Sequence, residues 1–173
     1  ALPREVLISV MKKHQLYFPI EKDGKLLPHF VVVRNGDDQG LDLVRQGNEH
    51  VVRARFADAD FFVREDLKHK LEDLRPRLDT LIFQKDLGSM LDKNERIEKL
   101  TADLPGMLGL SAEEADIARR AAHLLKADLV SKMVVEMTSL QGIMGREYAR
   151  RDGEAQAVAG AIGEQYQAVP LTK

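Results

Sequence analysis

The chain has 173 residues, 44% of them apolar and 31% charged, with a net charge of −2 and no cysteine. This length suits one compact domain, or a domain with a short appendage, and it buries enough apolar surface to fold without staples. The lack of cysteine excludes disulfides, thiolate zinc sites and cysteine nucleophiles; 26 basic against 28 acidic residues excludes a globally basic nucleic-acid binder, so a nucleic-acid role must rest on a local patch.

Residues 3–14 read as a short helix, with Pro3 in its first turn and Val6 and Val10 on one face. Tyr17 to Val33 reads as a β-hairpin turned at Asp23-Gly24, with a β-branched and aromatic second strand ending His29-Phe30-Val31-Val32-Val33. A lone hairpin is marginal in water, so this stretch reads as the end of another domain. From about residue 40 the apolar period becomes helical, through Val44, Val51, Val52, Phe56, Ala59 and Phe62 to about Lys68. Glu49 with Arg53, Asp60 with Arg64 and Asp66 with Lys70 are acid-then-base pairs four apart, as on a helix surface. Gly47 is read as a kink or a boundary. Further helices are expected over about 70–83 despite Pro76, 87–104 up to a break at Pro105-Gly106, 112–136 behind a Ser111/Glu114 capping box, 140–151 and 154–167. The fold class is therefore mainly α, essentially all helical from 40 to 167, with a helix and hairpin before it. No apolar run approaches the roughly 18 residues that cross a bilayer and no signal peptide opens the chain, so no membrane is expected.

The residues offer little chemistry. No two of His14, His29, His50, His69 and His123 have the spacing of a helical metal site, and phosphate-loop, dinucleotide and nucleophile-elbow patterns are absent. Asp58, Asp60, Glu65 and Asp66 interleave with Arg53, Arg55 and Arg64, which reads as a solvated, ion-paired face rather than an acid–base site. Two basic groups remain: Arg119, Arg120 and Lys126, and then Arg146, Arg150 and Arg151 with Tyr148. Guanidinium forks suit phosphate oxygens, and a tyrosine can stack or hydrogen-bond nearby; ordinary solvated helix ends are the alternative. Gly142 and Gly145 lose helix propensity, roughly 1 kcal/mol each against Ala, and are read as points of close helix packing or of close RNA approach.

Five segments carry a family resemblance: LPREVLISVMKKHQLYFPI (2–20), GNEHVVRARFADADFFVREDLK (47–68), LEDLRPRLDTLIFQKDLGSMLDKNERIEKL (71–100), ARRAAHLLKADLVSKMVVE (118–136) and LQGIMGREYARRDGE (140–154). In this order they resemble the β subunit of the bacterial, two-subunit glycyl-tRNA synthetase over nearly the whole chain. The resemblance implies an internal fragment of a longer subunit. Residues 1–37 would be the tail of a preceding α+β domain and 38–173 an HD-like all-helical domain. It further implies a cytoplasmic α2β2 glycine–tRNA ligase whose α subunit uses ATP and Mg. The partners implied are glycine-specific tRNA, the α subunit and the remaining β-subunit domains, with no DNA. The fragment itself would be non-catalytic and without a cofactor, positioning the tRNA, in particular its acceptor arm.

HD phosphohydrolases hold metal with two His and two Asp, the His-Asp pair following a small-apolar run. The matching run here is Ala121-Ala122-His123-Leu124-Leu125, and Lys126-Ala127 stand where the pair would be; Lys93 falls at the position of the first His. An ammonium repels a divalent ion, so no metal is expected. The two lysines would suit either a phosphate or a structural carboxylate partner. An active HD-type metal-dependent phosphohydrolase and a purely structural interdomain or subunit scaffold stay open as other readings.

Overall fold

The computed structural model describes residues 2–167 and is mainly α. Helix α1 (Arg4–Gln15) starts behind Pro3 and stops at Leu16, whose backbone turns left-handed with φ 54°. Strands β1 (Phe18–Lys22) and β2 (Lys25–Val31) pair antiparallel around Asp23-Gly24, both with positive φ as such a two-residue turn requires. Helix α2 (Leu41–Asp66) follows. It runs through Gly47 without interruption, so no element boundary falls there.

The chain divides into two compact units, residues 1–65 and 66–173. The expected division at 37/38 follows the change of hydrophobic period, whereas the compact units part at the end of α2. In the first unit, Met11, Tyr17 and Val52 are buried with Leu26, Phe30, Val32 and Phe56 against them. The Tyr17 ring stacks on Phe30 at 5.0 Å, and its hydroxyl donates to Asn48 Oδ1 at 2.9 Å. Phe18, Val31 and Val33 remain exposed.

The second unit opens with a single turn, α3 (Leu71–Leu74), followed by a 3-10 stretch at Arg75–Thr80. Pro76 has no N–H to donate and stops the helix expected over 70–83. Strands β3 (Ile82–Gln84) and β4 (Gly88–Ser89) then form a second small hairpin. It lies inside the stretch expected to be all helical and corrects that expectation. Helix α4 (Met90–Leu108) is capped by Ser89, whose hydroxyl accepts from Asp92 N while the Asp92 carboxylate accepts from Ser89 N. It passes through Pro105 and ends at Gly109 in the left-handed region, four residues beyond the expected break. Helix α5 (Ala112–Leu124) carries the Ser111/Glu114 capping box. The helix expected over 112–136 is in fact α5, a 3-10 turn at Ala127–Val130 and α6 (Lys132–Glu136). Helices α7 (Ile143–Arg151) and α8 (Gln156–Glu164) complete the fold. Leu71, Leu78, Leu124, Met133, Leu140, Met144 and Ile162 are fully buried among these elements. No helix among the described residues is long and apolar enough to cross a membrane.

Candidate nucleic-acid interface

Helix α7 is short because both ends are set by tertiary contacts. Its N-cap is Gly142, with φ 76°. The amides of Gly142 and Gly145 both donate to Asp128 Oδ2, at 2.6 and 3.1 Å. Asp128 is only 1% exposed, and burial pushes its carboxyl above the usual carboxylate range against the pull of those amides. A Cβ on Gly145 would lie 2.8 Å from Ile162 Cγ2 and 3.1 Å from the Asp128 carboxyl carbon. The two glycines therefore let a buried carboxylate and α8 reach the backbone.

The polar face of α7 carries the arginines. Arg146 and Arg150 are one turn apart and both reach Glu147: Arg146 Nε lies 3.3 Å and Arg150 Nη1 2.9 Å from its Oε1. The stem of Arg146 covers Gly163 of α8. Arg151 is exposed and makes no ion pair among the described residues. Arg146 and Arg150 thus form one cationic edge that shares the Glu147 carboxylate, with Arg151 next in the chain.

Tyr148 does not join them. It is 5% exposed, and its hydroxyl donates to Asp66 Oδ2 at 2.7 Å. Burial, first, and Asp66 push its phenol far above the usual tyrosine range. A ring so placed cannot stack on a nucleotide, which corrects the expectation drawn from its position beside the arginines. Asp66 also accepts from the backbone of Lys132 at 2.7 Å and Met133 at 3.0 Å. It therefore belongs to the interior, whereas Asp60 stays on the ion-paired surface with Arg64, as Glu49 does with Arg53.

Arg120 is also committed. It bridges Glu154 and Glu72, at 2.6 and 3.0 Å, and these contacts raise its pKa further. The hydrogen bond from Arg120, opposed in part by burial, holds Glu72 below the usual carboxylate range. His123 extends this network, with Nδ1 3.0 Å from Glu98 and Nε2 3.4 Å from Glu72. Arg75 closes it by donating to Glu98, to the His123 carbonyl and to Asn94 Oδ1. Arg119 is exposed and pairs with Asp116 of its own helix. The second basic group thus does not assemble into one surface: Arg120 knits helices together, Arg119 points to solvent, and Lys126 lies elsewhere.

Lys126 follows the end of α5 with φ 69°, and its ammonium sits 3.9 Å above the Tyr166 ring. Lys93, on α4, sits 3.8 Å above Phe83. Ala127 is fully buried. Helix α5 ends at Leu124, and Asp128 lies in the 3-10 turn that follows. Among the described residues no group of three His, Cys, Asp or Glu could hold a metal ion.

Asp66, Asn94, Asp128 and Asp152 organise this unit; the sequence marked only Asp66, and as a surface carboxylate. Each finds its partners far along the chain, so no local spacing reveals its role. Asn94, for example, is fully buried and donates to the carbonyls of Ala122 and Leu125 at 2.8 and 2.9 Å.

A family model described as glycyl-tRNA synthetase beta subunit matches residues 1–171. A glycine–tRNA ligase beta subunit of Clostridioides difficile is 54% identical over 165 residues, 95% of this chain and 24% of the relative. Those of Desulforudis audaxviator and Haemophilus influenzae are 52% and 50% identical over 98% and 96% of this chain, covering 25% and 24% of the relatives. The chain spans about a quarter of the length of these curated relatives. It belongs to the glycyl-tRNA synthetase beta subunit family.

Proposed function

We propose that this chain is a tRNA-holding part of a glycine–tRNA ligase β subunit, supporting glycyl-tRNA aminoacylation by gripping the tRNA backbone, in particular the acceptor arm. The observation that carries this reading is the edge of α7, where Arg146 and Arg150 share Glu147 and Arg151 follows in the open. Double-helical RNA is recognised largely by shape and backbone, so a short row of guanidinium groups is an appropriate instrument. Arg119 is a further, solvent-facing candidate. In this proposal glycine activation, with ATP and Mg, belongs to an α subunit in a cytoplasmic α2β2 assembly, and this chain acts through binding alone.

The test replaces Arg146 and Arg150 together by Gln in the whole β subunit and titrates it with glycine tRNA at several salt concentrations. Every phosphate that is no longer neutralised should lower the slope of log affinity against log salt by about 0.7 to 0.9. Thermal melting guards against a merely unfolded variant. A stable double variant with unchanged slope and affinity removes this edge from the RNA surface.

A scaffold reading has its own support: Leu100, Leu104, Met107 and Leu108 form an exposed apolar row on α4. Rows of this kind mark contact surfaces. Full tRNA affinity in the arginine variant, with assembly abolished when Leu104 and Met107 become Ser, would favour the scaffold. Nothing among the described residues favours the phosphohydrolase reading. Phosphatase activity copurifying with a stoichiometric transition metal would revive it.

A further inference from the structure

Two lysines in the second unit stand apart from its other inward-facing cations. Arg75 is paired with Glu98, Arg120 with Glu72 and Glu154, and Arg146 with Glu147. Lys93 and Lys126 make no ion pair with any carboxylate among the described residues. Both are half-buried. Each rests its ammonium on an aromatic face, Lys93 on Phe83 and Lys126 on Tyr166.

The backbone brings them together. Asn94, next to Lys93, donates its side-chain amide to the carbonyl of Leu125, next to Lys126, at 2.9 Å. Lys126 reaches its place only through a left-handed backbone at φ 69°, which disfavours a residue with a Cβ. Burial, and after it the positive charge of Lys93, hold Lys126 below the usual lysine range. Asp128, the carboxylate that acts on Lys126, is buried and committed to the amides of Gly142 and Gly145.

Two cations whose neighbouring residues are tied together, each on an aromatic floor and neither in an ion pair among the described residues, are a site for an anion. The aromatic faces stabilise each ammonium without neutralising it, so the charge stays available. We propose that Lys93 and Lys126 form a pocket that binds one phosphate group, the two ammonium groups each donating to its oxygens. The pocket accepts that phosphate either from an RNA backbone or as a free phosphate or nucleotide, and it stands whether or not the α7 arginines touch tRNA.

The experiment follows the lysine side-chain Cε signals of the chain by NMR while inorganic phosphate, and separately an RNA duplex, is added at constant ionic strength. Inorganic phosphate should move the Lys93 and Lys126 signals saturably and raise the Lys126 pKa. Lys93→Met should by itself raise that pKa in the absence of phosphate. Either single substitution should weaken phosphate binding roughly ten-fold or more, the effect of one charge-assisted hydrogen bond. Lys126→Gly removes the charge while relieving the left-handed backbone, so weakened binding there cannot be blamed on misfolding. If RNA moves the same signals and phosphate competes, the source is a backbone phosphate; if only inorganic phosphate moves them, it is a free one. Unmoved lysine signals, or the same saturation in the Lys93→Met/Lys126→Met double variant, would overturn the proposal.

Discussion

Asp128 shows how much one buried carboxylate organises here. Its Oδ2 takes two amides, while its Oδ1 has no partner among the described residues. Its folded pKa lies above its unfolded one, chiefly from burial. It therefore contributes stability that is fully present below the ordinary carboxylate value of about 3.9 and is lost as pH rises through the folded value. Asp128→Asn keeps an oxygen for Gly142 and Gly145 and has no charge to bury. Melting across acid to neutral pH should show the wild-type chain losing this increment and the Asn variant keeping it. A parallel pH dependence in the two would contradict this account. Asn94 differs in being fully satisfied. Asn94→Ala strands the carbonyls of Ala122 and Leu125, while Arg75 Nε keeps the His123 carbonyl, and should cost about 2–4 kcal/mol in denaturant unfolding. Neither residue could be selected from the sequence, because a lone Asp or Asn in a helical pattern usually faces water.

At the scale of elements, helix ends explain both the successes and the misses of sequence reading. Capping boxes are local, and the Ser111/Glu114 signature is where the sequence places it. The end of α5 is not local. Beyond Leu124 the chain turns into a 3-10 segment because Asp128 and Ala127 must enter the core, although the apolar pattern runs on helically to 136. Gly145→Ala should show the same dominance of packing over propensity. Alanine favours a helix by about 1 kcal/mol, yet here its methyl meets Ile162 and Asp128. Overpacking at such a site costs about 1–3 kcal/mol. A net decrease in stability is expected in thermal melting, and a gain would show that α7 and α8 yield easily. At the start of α4, Ser89→Ala should cost about 1 kcal/mol through removal of the cap.

At the scale of the whole molecule, the charge that matters is not the net charge of −2 but which cations remain after internal pairing. Glu147 holds Arg146 and Arg150 together and offsets part of their charge. If these arginines grip RNA, Glu147→Gln in the whole β subunit should raise affinity for glycine tRNA and steepen its salt dependence. Filter binding at two salt concentrations measures both, and weaker binding with an intact fold would mean that Glu147 positions the arginines rather than opposing them.

Sequence by itself determined the helical class, the first hairpin, the Ser111 cap and the family, because these rest on period, turn chemistry and ordered local segments that need no partner. Tertiary structure alone decided which charged and aromatic residues are available. Tyr148 and Arg150 sit two residues apart on one helix, yet one is sealed against Asp66 and the other stands in solvent. Arg119 and Arg120 are adjacent, yet one is exposed and the other ties Glu72 to Glu154. Neighbours in a helix lie about 100° apart around its axis, and the packing around the helix decides which direction meets water.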